Sequence, residues 1–171
     1  MDSIVLAGGC FWGVEAYFKR VKGVIGTRVG YAQGEKENPT YKEVCEGNTG
    51  HAEVCDVIFD ENEISLEKIL EHFFRIIDPT SLNRQGGDEG PQYRTGIYCN
   101  TNDRLEEIKE IIKEVQKKYE EKIVTEVDIL DIFYDAEEYH QEYLQKNPSG
   151  YCHVDFSLIK PEERQNPIEN N

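Results

Sequence analysis

The sequence predicts an α+β fold in which helices cover a sheet in a two-layer α/β sandwich. Strand-like and helix-like stretches follow one another in the order βαβ-β-α-β-α-β, mostly with short connections, and this order is typical of two packed layers. A chain of 171 residues has the length of one domain and can bury a sizeable core. We assign residues 1–159 to a single domain and the polar residues 160–171 to a flexible tail.

The first strand and the first helix meet at a cysteine. Residues 4–6 are a short apolar strand, and a glycine pair separates it from a stretch with helical periodicity. The apolar stripe of that helix is Phe11, Val14, Phe18 and Val21. Cys10 therefore lies at a helix N-terminus, where free N–H groups and the helix dipole lower the pKa of a thiol. We expect a reactive thiolate here rather than a buried packing cysteine.

The middle of the chain continues the alternation. Residues 24–32 form a second strand, and residues 33–50 are polar with Pro39 and three glycines, which indicates a loop. Residues 52–59 alternate as a strand does. Ser65 then caps a helix that ends before Pro79. The apolar face of this helix is Leu66, Ile69, Leu70, Phe73, Phe74 and Ile77.

The second half of the chain opens with residues 80–94, which hold three glycines and show no periodicity. A loop of this length in a compact domain is usually functional. The remaining elements are a strand at 95–99, a helix from Asp103, a strand at 124–133 and a short helix at 137–145. Glu106 follows Asp103 as in a capping box. The residues of this helix predicted to face inward are Leu105, Ile108, Ile112, Val115 and Tyr119.

The charge balance excludes several classes of partner. Formal net charge is −15, from 34 acidic and 19 basic residues. Nucleic-acid binding needs clustered Lys and Arg side chains, and an anionic membrane surface attracts the same residues. No apolar run approaches the ~18 residues of a membrane-spanning helix, and the N-terminus lacks the basic and apolar regions of a signal peptide. We expect a cytoplasmic protein that binds neither nucleic acid nor a membrane.

The chain has five cysteines, which is an odd number, and a static disulfide framework is not expected in a reducing compartment. The cysteines would then serve redox chemistry or bind a metal. No CxxC pair occurs, and neither His51 with Cys55 nor Cys152 with His153 has the spacing of a zinc site. We expect no metal.

Five segments carry recognisable motifs. They are GCFWGVE at 9–15, NPTYKEVCEGNTGHAE at 38–53, QGGDEGPQYRTGIY at 85–98, AEEYHQEYL at 136–144 and NPSGYCH at 147–153. In this order and rough spacing they resemble the motifs of the peptide methionine sulfoxide reductases of the A type. The resemblance runs from Cys10 to His153, which is most of the chain.

The resemblance implies a ferredoxin-like core, with residues 1–159 as the catalytic domain. It also implies the thiol-dependent reduction of methionine sulfoxide, free or in proteins, with selectivity for the S epimer at sulfur, since each enzyme type serves one epimer. Thioredoxin would be the reductant, and repair of oxidised proteins the purpose. We expect a monomer that needs no cofactor.

Sulfoxide reduction needs a thiolate that attacks sulfur and an acid that protonates the oxygen. Cys10 supplies the thiolate. The resemblance assigns the acid to Glu53, whose pKa must then be raised by burial beside aromatic rings. On the residues alone, Glu53 would be a surface carboxylate at the start of a strand.

The resemblance assigns five more residues to the substrate pocket. Tyr41 and Tyr93 would bind the sulfoxide oxygen, and Asp88 would organise water or neighbouring groups. Phe11 and Trp12 would form an apolar shelf for the S-methyl group. The alternatives are half-buried core rings for the tyrosines, a solvated loop carboxylate for Asp88, and anchoring of the helix to the sheet for Phe11 and Trp12.

After oxygen transfer Cys10 would be a sulfenic acid, which a second thiol condenses into a disulfide. The residues leave four candidates for that thiol: Cys45, Cys55, Cys99 and Cys152. NPSGYCH is similar to the family segment with a resolving cysteine, which implies a Cys10–Cys152 disulfide reopened by thioredoxin. No cysteine follows Cys152, so we expect a single disulfide step.

Two other functions remain open at this point. One is a metal-binding or redox-sensing module in which cysteines and histidines hold zinc or signal oxidation. The other is a cysteine hydrolase with His51 or His140 as the base, which no motif supports. We expect His140 to be a structural hydrogen-bonding residue near the pocket, and His72 to lie on the polar side of its helix.

Overall fold

The computed structural model of the chain describes residues 1–168, which form one main sheet with helices packed against it. The strands are β1 (Asp2–Gly8), β2 (Val24–Ala32), β3 (Ala52–Phe59), β4 (Arg84–Gln85), β5 (Asp88–Glu89), β6 (Thr95–Cys99), β7 (Glu126–Ile129) and β8 (Phe133–Asp135). The helices are α1 (Phe11–Phe18), α2 (Tyr41–Cys45), α3 (Leu66–Ile76), α4 (Asn102–Gln116) and α5 (Tyr143–Lys146). The strands predicted at 24–32, 52–59 and 95–99 are confirmed with their limits. Within the described range, no helix is both long and apolar enough to cross a membrane.

Six strands form the main sheet in the order β7-β6-β1-β3-β2-β8, and β4 pairs with β5 in a separate ribbon. Neighbours in the main sheet are antiparallel, except that β7 runs parallel to β6. The four central strands come from the unit β1-α1-β2-β3-α3-β6. Because β1 and β3 are antiparallel, the end of β1, from which α1 starts, lies beside the beginning of β3.

The two faces of the sheet bury different side chains. One face packs against α1, α3 and α4 and holds the main core, to which β1 contributes Ile4 and Leu6. On the other face, β1 contributes Val5 and Ala7 to a smaller apolar cluster, and Leu130 and Phe133 pack against that cluster. The alternation follows the two-residue period of a strand. Helices packed on a sheet confirm the predicted mixed α/β architecture.

The predicted strand 124–133 is wrong, because this stretch is divided between opposite edges of the sheet. β7 pairs with β6 at one edge and β8 with β2 at the other, and residues 130–132 join them. The two edge strands of a flat six-stranded sheet would lie about 24 Å apart. The four residue steps from the end of β7 to the start of β8 span at most about 14 Å. The sheet therefore curls so that its edges approach each other. The Gln33 side chain bonds to the Ile129 carbonyl (3.1 Å) and to the Asp131 N–H (2.7 Å).

Two helix starts differ from the prediction. Residues 33–50 contain α2, which begins with a capping box: the Thr40 hydroxyl accepts the Glu43 N–H (3.2 Å), and the Glu43 carboxylate accepts the Thr40 N–H (3.0 Å). Helix α4 is capped by Thr101, whose hydroxyl accepts an N–H of the first turn (3.2 Å), and not by Asp103. A hydroxyl at the N-cap satisfies a donor that the helix leaves free.

The predicted inward face of α4 is confirmed for Leu105, Ile108, Ile112 and Val115, which belong to the main core or pack against it, while Tyr119 lies beyond the helix end. The predicted helix 137–145 is interrupted at Glu142, whose φ of 57° is in the left-handed region. A 3-10 turn therefore precedes α5.

His72 is buried, contrary to the prediction that it lies on the polar side of α3. Its Nδ1 is 2.7 Å from the hydroxyl of Tyr17 on α1. A buried polar atom with a hydrogen-bond partner is tolerated in an apolar interface, so the ring can enter the contact between the two helices.

The tail predicted to be flexible makes defined contacts over residues 160–168. The Lys22 N–H donates to the Glu163 carbonyl (2.8 Å), and the Lys19 ammonium donates to a carbonyl at the end of the segment (2.8 Å). Residues 169–171, the rest of that prediction, lie outside the described residues.

Candidate active site

Cys10 occupies the turn between β1 and α1 and is the N-cap residue of the helix, as the sequence predicts. The turn lies close to the ribbon of β4 and β5. A side chain at Gly9, where φ is 88°, would place its Cβ 2.7 Å from the Cβ of Gln85, so glycine alone fits there. The Cys10 thiol is buried, with 5% of the residue exposed.

The electrostatics of Cys10 differ from the prediction of a lowered pKa. The N–H groups of Trp12 and Gly13 hydrogen-bond to the sulfur and lower its pKa, as expected at a helix N-terminus. Burial is the larger influence, and with the charge of Glu53 it raises the pKa of Cys10 well above its usual range. Two N–H groups do not replace the water that a thiolate loses on burial. In the free protein Cys10 is therefore a thiol.

Glu53 is the second residue of β3 and lies directly beside the start of α1, with 1% of its surface exposed. Its Oε1 accepts the Phe11 N–H (3.1 Å), while Oε2 is buried and has no hydrogen-bond partner among the described residues. Burial raises the pKa of Glu53 to about 8. At neutral pH the side chain is thus a carboxylic acid, and Oε2 is free to hold a proton that it can donate.

Two aromatic rings follow Cys10 and differ in exposure. Phe11 is fully buried and packs against the rings of Tyr31 and Tyr41, with centroids 5.7 and 6.3 Å away. Trp12 is half-buried and stacks on Tyr143 at 3.8 Å and 12°. Phe11 forms the base of an apolar wall, and Trp12 extends that wall toward solvent.

His140 contacts the aromatic side chains of this wall and fixes their orientation. Its Nδ1 accepts the indole N–H of Trp12 (2.9 Å), and its ring lies 4.2 Å from that of Tyr41 and 4.1 Å from that of Tyr139. Burial lowers the pKa of His140, so the ring is neutral and carries its hydrogen on Nε2. This arrangement fits the structural hydrogen-bonding role that the sequence predicts.

Tyr41 and Tyr93 reach the same pocket from α2 and from the 3-10 turn 91–93. Burial raises the pKa of both phenols, and the charge of Glu53 adds to the effect on each. The charge of Cys10 also contributes at Tyr93. Both hydroxyls are therefore neutral donors close to the buried acid.

Asp88, in β5, is a further acidic group of the pocket. Its charge raises the pKa values of Cys10 and Glu53, which places it near both. Its Oδ2 is buried and has no hydrogen-bond partner within residues 1–168. The structure thus brings Cys10, Glu53, Tyr41, Tyr93, Asp88, Phe11 and Trp12 together around one pocket.

The sequence analysis did not assign Glu137 to the pocket, and it considered Cys45 only as a candidate resolving thiol. Glu137 accepts the Tyr31 hydroxyl (2.8 Å) and the Tyr41 N–H (3.0 Å), and so fixes one wall. Cys45 interacts with the hydroxyls of Tyr41 and Tyr93 and lies at the edge of the site. Glu137 lies in the motif at 136–144 and Cys45 in the motif at 38–53, and these motifs are the sequence signal that could have assigned them to the pocket.

Cys152 lies in an irregular segment beside Gly13 of α1 and is half-buried. Its sulfur is 3.4 Å from the Val154 carbonyl and 3.2 Å from the point that a Cβ on Gly13 would occupy. Gly13 also directs its N–H at Cys10, so the two sulfurs border the same glycine. Both cysteines are free thiols.

The other cysteines differ in accessibility. Cys55 and Cys99 are buried in the core, and burial raises the pKa of both thiols. Cys45 is exposed. In the part of the chain that the structure describes, no group of three or more His, Cys, Asp or Glu side chains is arranged to hold a metal ion.

The histidines considered as bases are both engaged elsewhere. His51 accepts the Gly34 N–H at Nδ1 (3.2 Å) and donates from Nε2 to the Lys36 carbonyl (2.6 Å). His140 uses its free lone pair to accept the Trp12 indole. A thiol beside a protonated carboxyl and two phenols is suited to redox chemistry. The fold and the site therefore define a thiol oxidoreductase.

The chain belongs to the peptide methionine sulfoxide reductase family, whose model, described as "Peptide methionine sulfoxide reductase", matches residues 2–171. It is an enzyme that reduces methionine sulfoxide with thiols. Membership of this family decides against the metal-binding or redox-sensing module and against the hydrolase.

Known proteins resemble the chain closely. The peptide methionine sulfoxide reductase MsrA of Alkaliphilus metalliredigens is 60% identical over 158 residues, which cover 92% of this chain and 100% of that protein. The reduced form of Mxr1 from Saccharomyces cerevisiae superposes with a TM-score of 0.84 at 43% identity, over 88% of each chain. Mxr1 in complex with Trx2 gives a TM-score of 0.60 at 33% identity, over 83% of this chain and 84% of that one.

The charge of Glu53 provides a test of the coupling within the site. Because that charge raises the pKa of Cys10, Glu53→Gln should speed alkylation of Cys10 by iodoacetamide above about pH 8, where Glu53 ionises in the wild type. Below that pH the two proteins should react at similar, slow rates. Mass mapping of Cys10 between pH 6 and 10 gives both profiles, with the exposed Glu46→Gln as control. Identical profiles for all three proteins would contradict the coupling.

Proposed function

We propose that the chain reduces the S epimer of methionine sulfoxide, free or in proteins, by nucleophilic attack of Cys10 with Glu53 as the acid, and that it thereby repairs oxidised proteins. The observation that carries this proposal is the buried, unpartnered Oε2 of Glu53 beside the buried thiol. A nucleophile and a proton donor buried beside each other are the two groups that sulfoxide reduction requires.

The reaction balances without an outside acid or base. Glu53 donates a proton to the sulfoxide oxygen as the Cys10 sulfur attacks the sulfoxide sulfur. The oxygen passes to Cys10 as a hydroxyl, so the cysteine is oxidised to a sulfenic acid and the substrate leaves as the thioether. The proton that the Cys10 thiol loses replaces the one that Glu53 gave up. Glu53 thus ends the step protonated, ready for the next turnover.

The remaining pocket residues bind the substrate. The neutral hydroxyls of Tyr41 and Tyr93 donate to the sulfoxide oxygen, where negative charge gathers before the proton arrives. Asp88 organises the groups near that oxygen through its buried carboxyl. Phe11 and Trp12 supply the apolar shelf for the S-methyl group, with Phe11 below and Trp12 at the open side.

Cys152 resolves the sulfenic acid. Its thiol displaces the hydroxyl of the Cys10 sulfenic acid as water, and a Cys10–Cys152 disulfide forms. The proximity of both sulfurs to Gly13 supports this pairing over the buried Cys55 and Cys99. Thioredoxin then reduces the disulfide, a role supported by the complex of the relative Mxr1 with Trx2.

We also infer a ferredoxin-like core. The βαββαβ unit and its antiparallel strand order β6-β1-β3-β2 support this assignment. Residues 1–159 are the catalytic domain and 160–171 its tail. The protein is a monomer of the cytoplasm, where five free thiols are compatible with the reducing conditions.

Replacement of the nucleophile tests the reaction. Cys10→Ser should abolish reduction of resolved methionine S-sulfoxide with dithiothreitol, since a hydroxyl does not accept the oxygen. The wild type should reduce the S epimer and leave the R epimer unchanged, as measured by methionine release. Circular dichroism verifies the fold of the variant. Substantial activity in Cys10→Ser would move the chemistry to another cysteine.

The acid is tested in the first step alone. Glu53→Gln should slow methionine formation in a single turnover by about 10²-fold, the scale of general acid catalysis. Glu46→Gln is a matched control, because Glu46 is exposed and its replacement also exchanges a carboxylate for an amide. A loss smaller than about fivefold would assign proton donation to Tyr41 and Tyr93 jointly.

The resolving thiol is tested with two reductants. Dithiothreitol reduces a sulfenic acid directly, whereas thioredoxin needs a disulfide. Cys152→Ser should therefore keep turnover with dithiothreitol and lose most turnover with thioredoxin. Non-reducing peptide mapping of the oxidised wild type should yield the Cys10–Cys152 bridge. A bridge from Cys10 to another cysteine would show that Cys152 is not the resolving residue.

A further inference from the structure

The C-terminal strap, defined here as residues 156–168, crosses the outside of the helical layer. The Gln165 N–H donates to the Arg20 carbonyl (2.9 Å), and Arg164 forms an isolated β-bridge with Val21 at the end of α1. The Gln165 side chain also donates to the Val24 carbonyl (2.7 Å). These contacts join the strap to the segment between α1 and β2.

Glu163 connects the same strap to α3. Both of its oxygens bind the Arg75 guanidinium (2.7 and 3.1 Å), and Lys68 lies 3.0 Å away. His72 is 3.7 Å from the carboxylate. The bidentate pair is the main reason that the pKa of Glu163 lies well below its usual range. Arg75 also donates to the Leu158 carbonyl (3.1 Å), so it closes the turn of the strap onto the helix.

The strap begins close to Cys152. Four chain steps separate Cys152 from Phe156, which limits their Cα separation to about 14 Å. Phe156 is itself held on the segment that follows α1, since the Arg20 guanidinium lies 4.2 Å above its ring. Between them, His153 Nε2 donates to the Gly8 carbonyl (2.9 Å), at the end of β1. As long as the strap is docked, Cys152 stays near the turn that carries Cys10.

We propose that Glu163 is a positioning residue for the resolving step: by docking the strap on α3, it keeps the Cys152 thiol at a high effective concentration around Cys10. This inference rests on the proposed function, in which Cys152 condenses with the Cys10 sulfenic acid and releases water. A thiol on a short, anchored tether meets its partner far more often than one on a loose tail. Glu163 touches neither the substrate nor either sulfur, so the first step does not depend on it.

The test separates the two steps in a single turnover without external reductant. Methionine formation reports oxygen transfer, and rapid alkylation followed by mass mapping reports the Cys10–Cys152 disulfide. In Glu163→Gln, which keeps the shape and removes the charge, oxygen transfer should stay within about twofold of wild type and disulfide formation should slow about tenfold. The neighbouring exposed Glu162→Gln is the matched control and should change neither rate.

A second variant addresses the ion pair. Arg75→Met should slow disulfide formation as well, and combining it with Glu163→Gln should add little, because the two residues act as a unit. Thermal unfolding checks that each variant is folded.

Each of three other outcomes would contradict one part of the proposal. Disulfide formation at the wild-type rate in Glu163→Gln overturns the positioning role and leaves the proposed function intact. Equal slowing of both steps also overturns it, since that result indicates general destabilisation of the fold. Absence of the Cys10–Cys152 disulfide in the wild type rejects the proposed resolving step itself, and this inference with it.

Discussion

The hydrogen bond from the Phe11 N–H to Oε1 of Glu53 is the contact on which the site depends. It joins the first turn of α1 to β3, and the register of β1 and β3, continued two residues beyond its last pair, sets Glu53 opposite Gly8. Cys10 follows two residues later and is therefore placed beside the carboxyl. With one N–H partner and almost no exposure, that carboxyl is more stable with its proton than as a buried charge.

Burial keeps most ionisable groups of the pocket neutral inside a strongly acidic protein. The net charge is −15, yet Cys10, Glu53, Tyr41 and Tyr93 all have raised pKa values and keep their protons at neutral pH. Asp88 is the acidic exception, and its charge helps to keep the protons on Cys10 and Glu53. In the proposed reaction the protons that move are already present, so the chemistry does not wait for exchange with water.

Local signals predicted much of this arrangement. The strands at 24–32 and 52–59 and the helix start at Cys10 follow from periodicity and glycine placement, whereas the short helix capped by Thr40 was missed because its segment was predicted to be a loop. Features that depend on long-range contacts were not predicted. The division of 124–133 between two edges depends on the curl of the sheet, and the raised pKa of Cys10 depends on how deeply the turn is buried. Roles within the pocket came from family motifs, because an isolated acid or tyrosine carries no such information.

The curled sheet has a consequence for the surroundings in which such an enzyme works. Its outermost strands, β7 and β8, have only four and three residues, and a short link draws the two edges toward each other. Long exposed edges recruit strands from other chains, and short ones do not. A reductase with edges this short offers little template for strands of other chains, so its own sheet resists extension into aggregates.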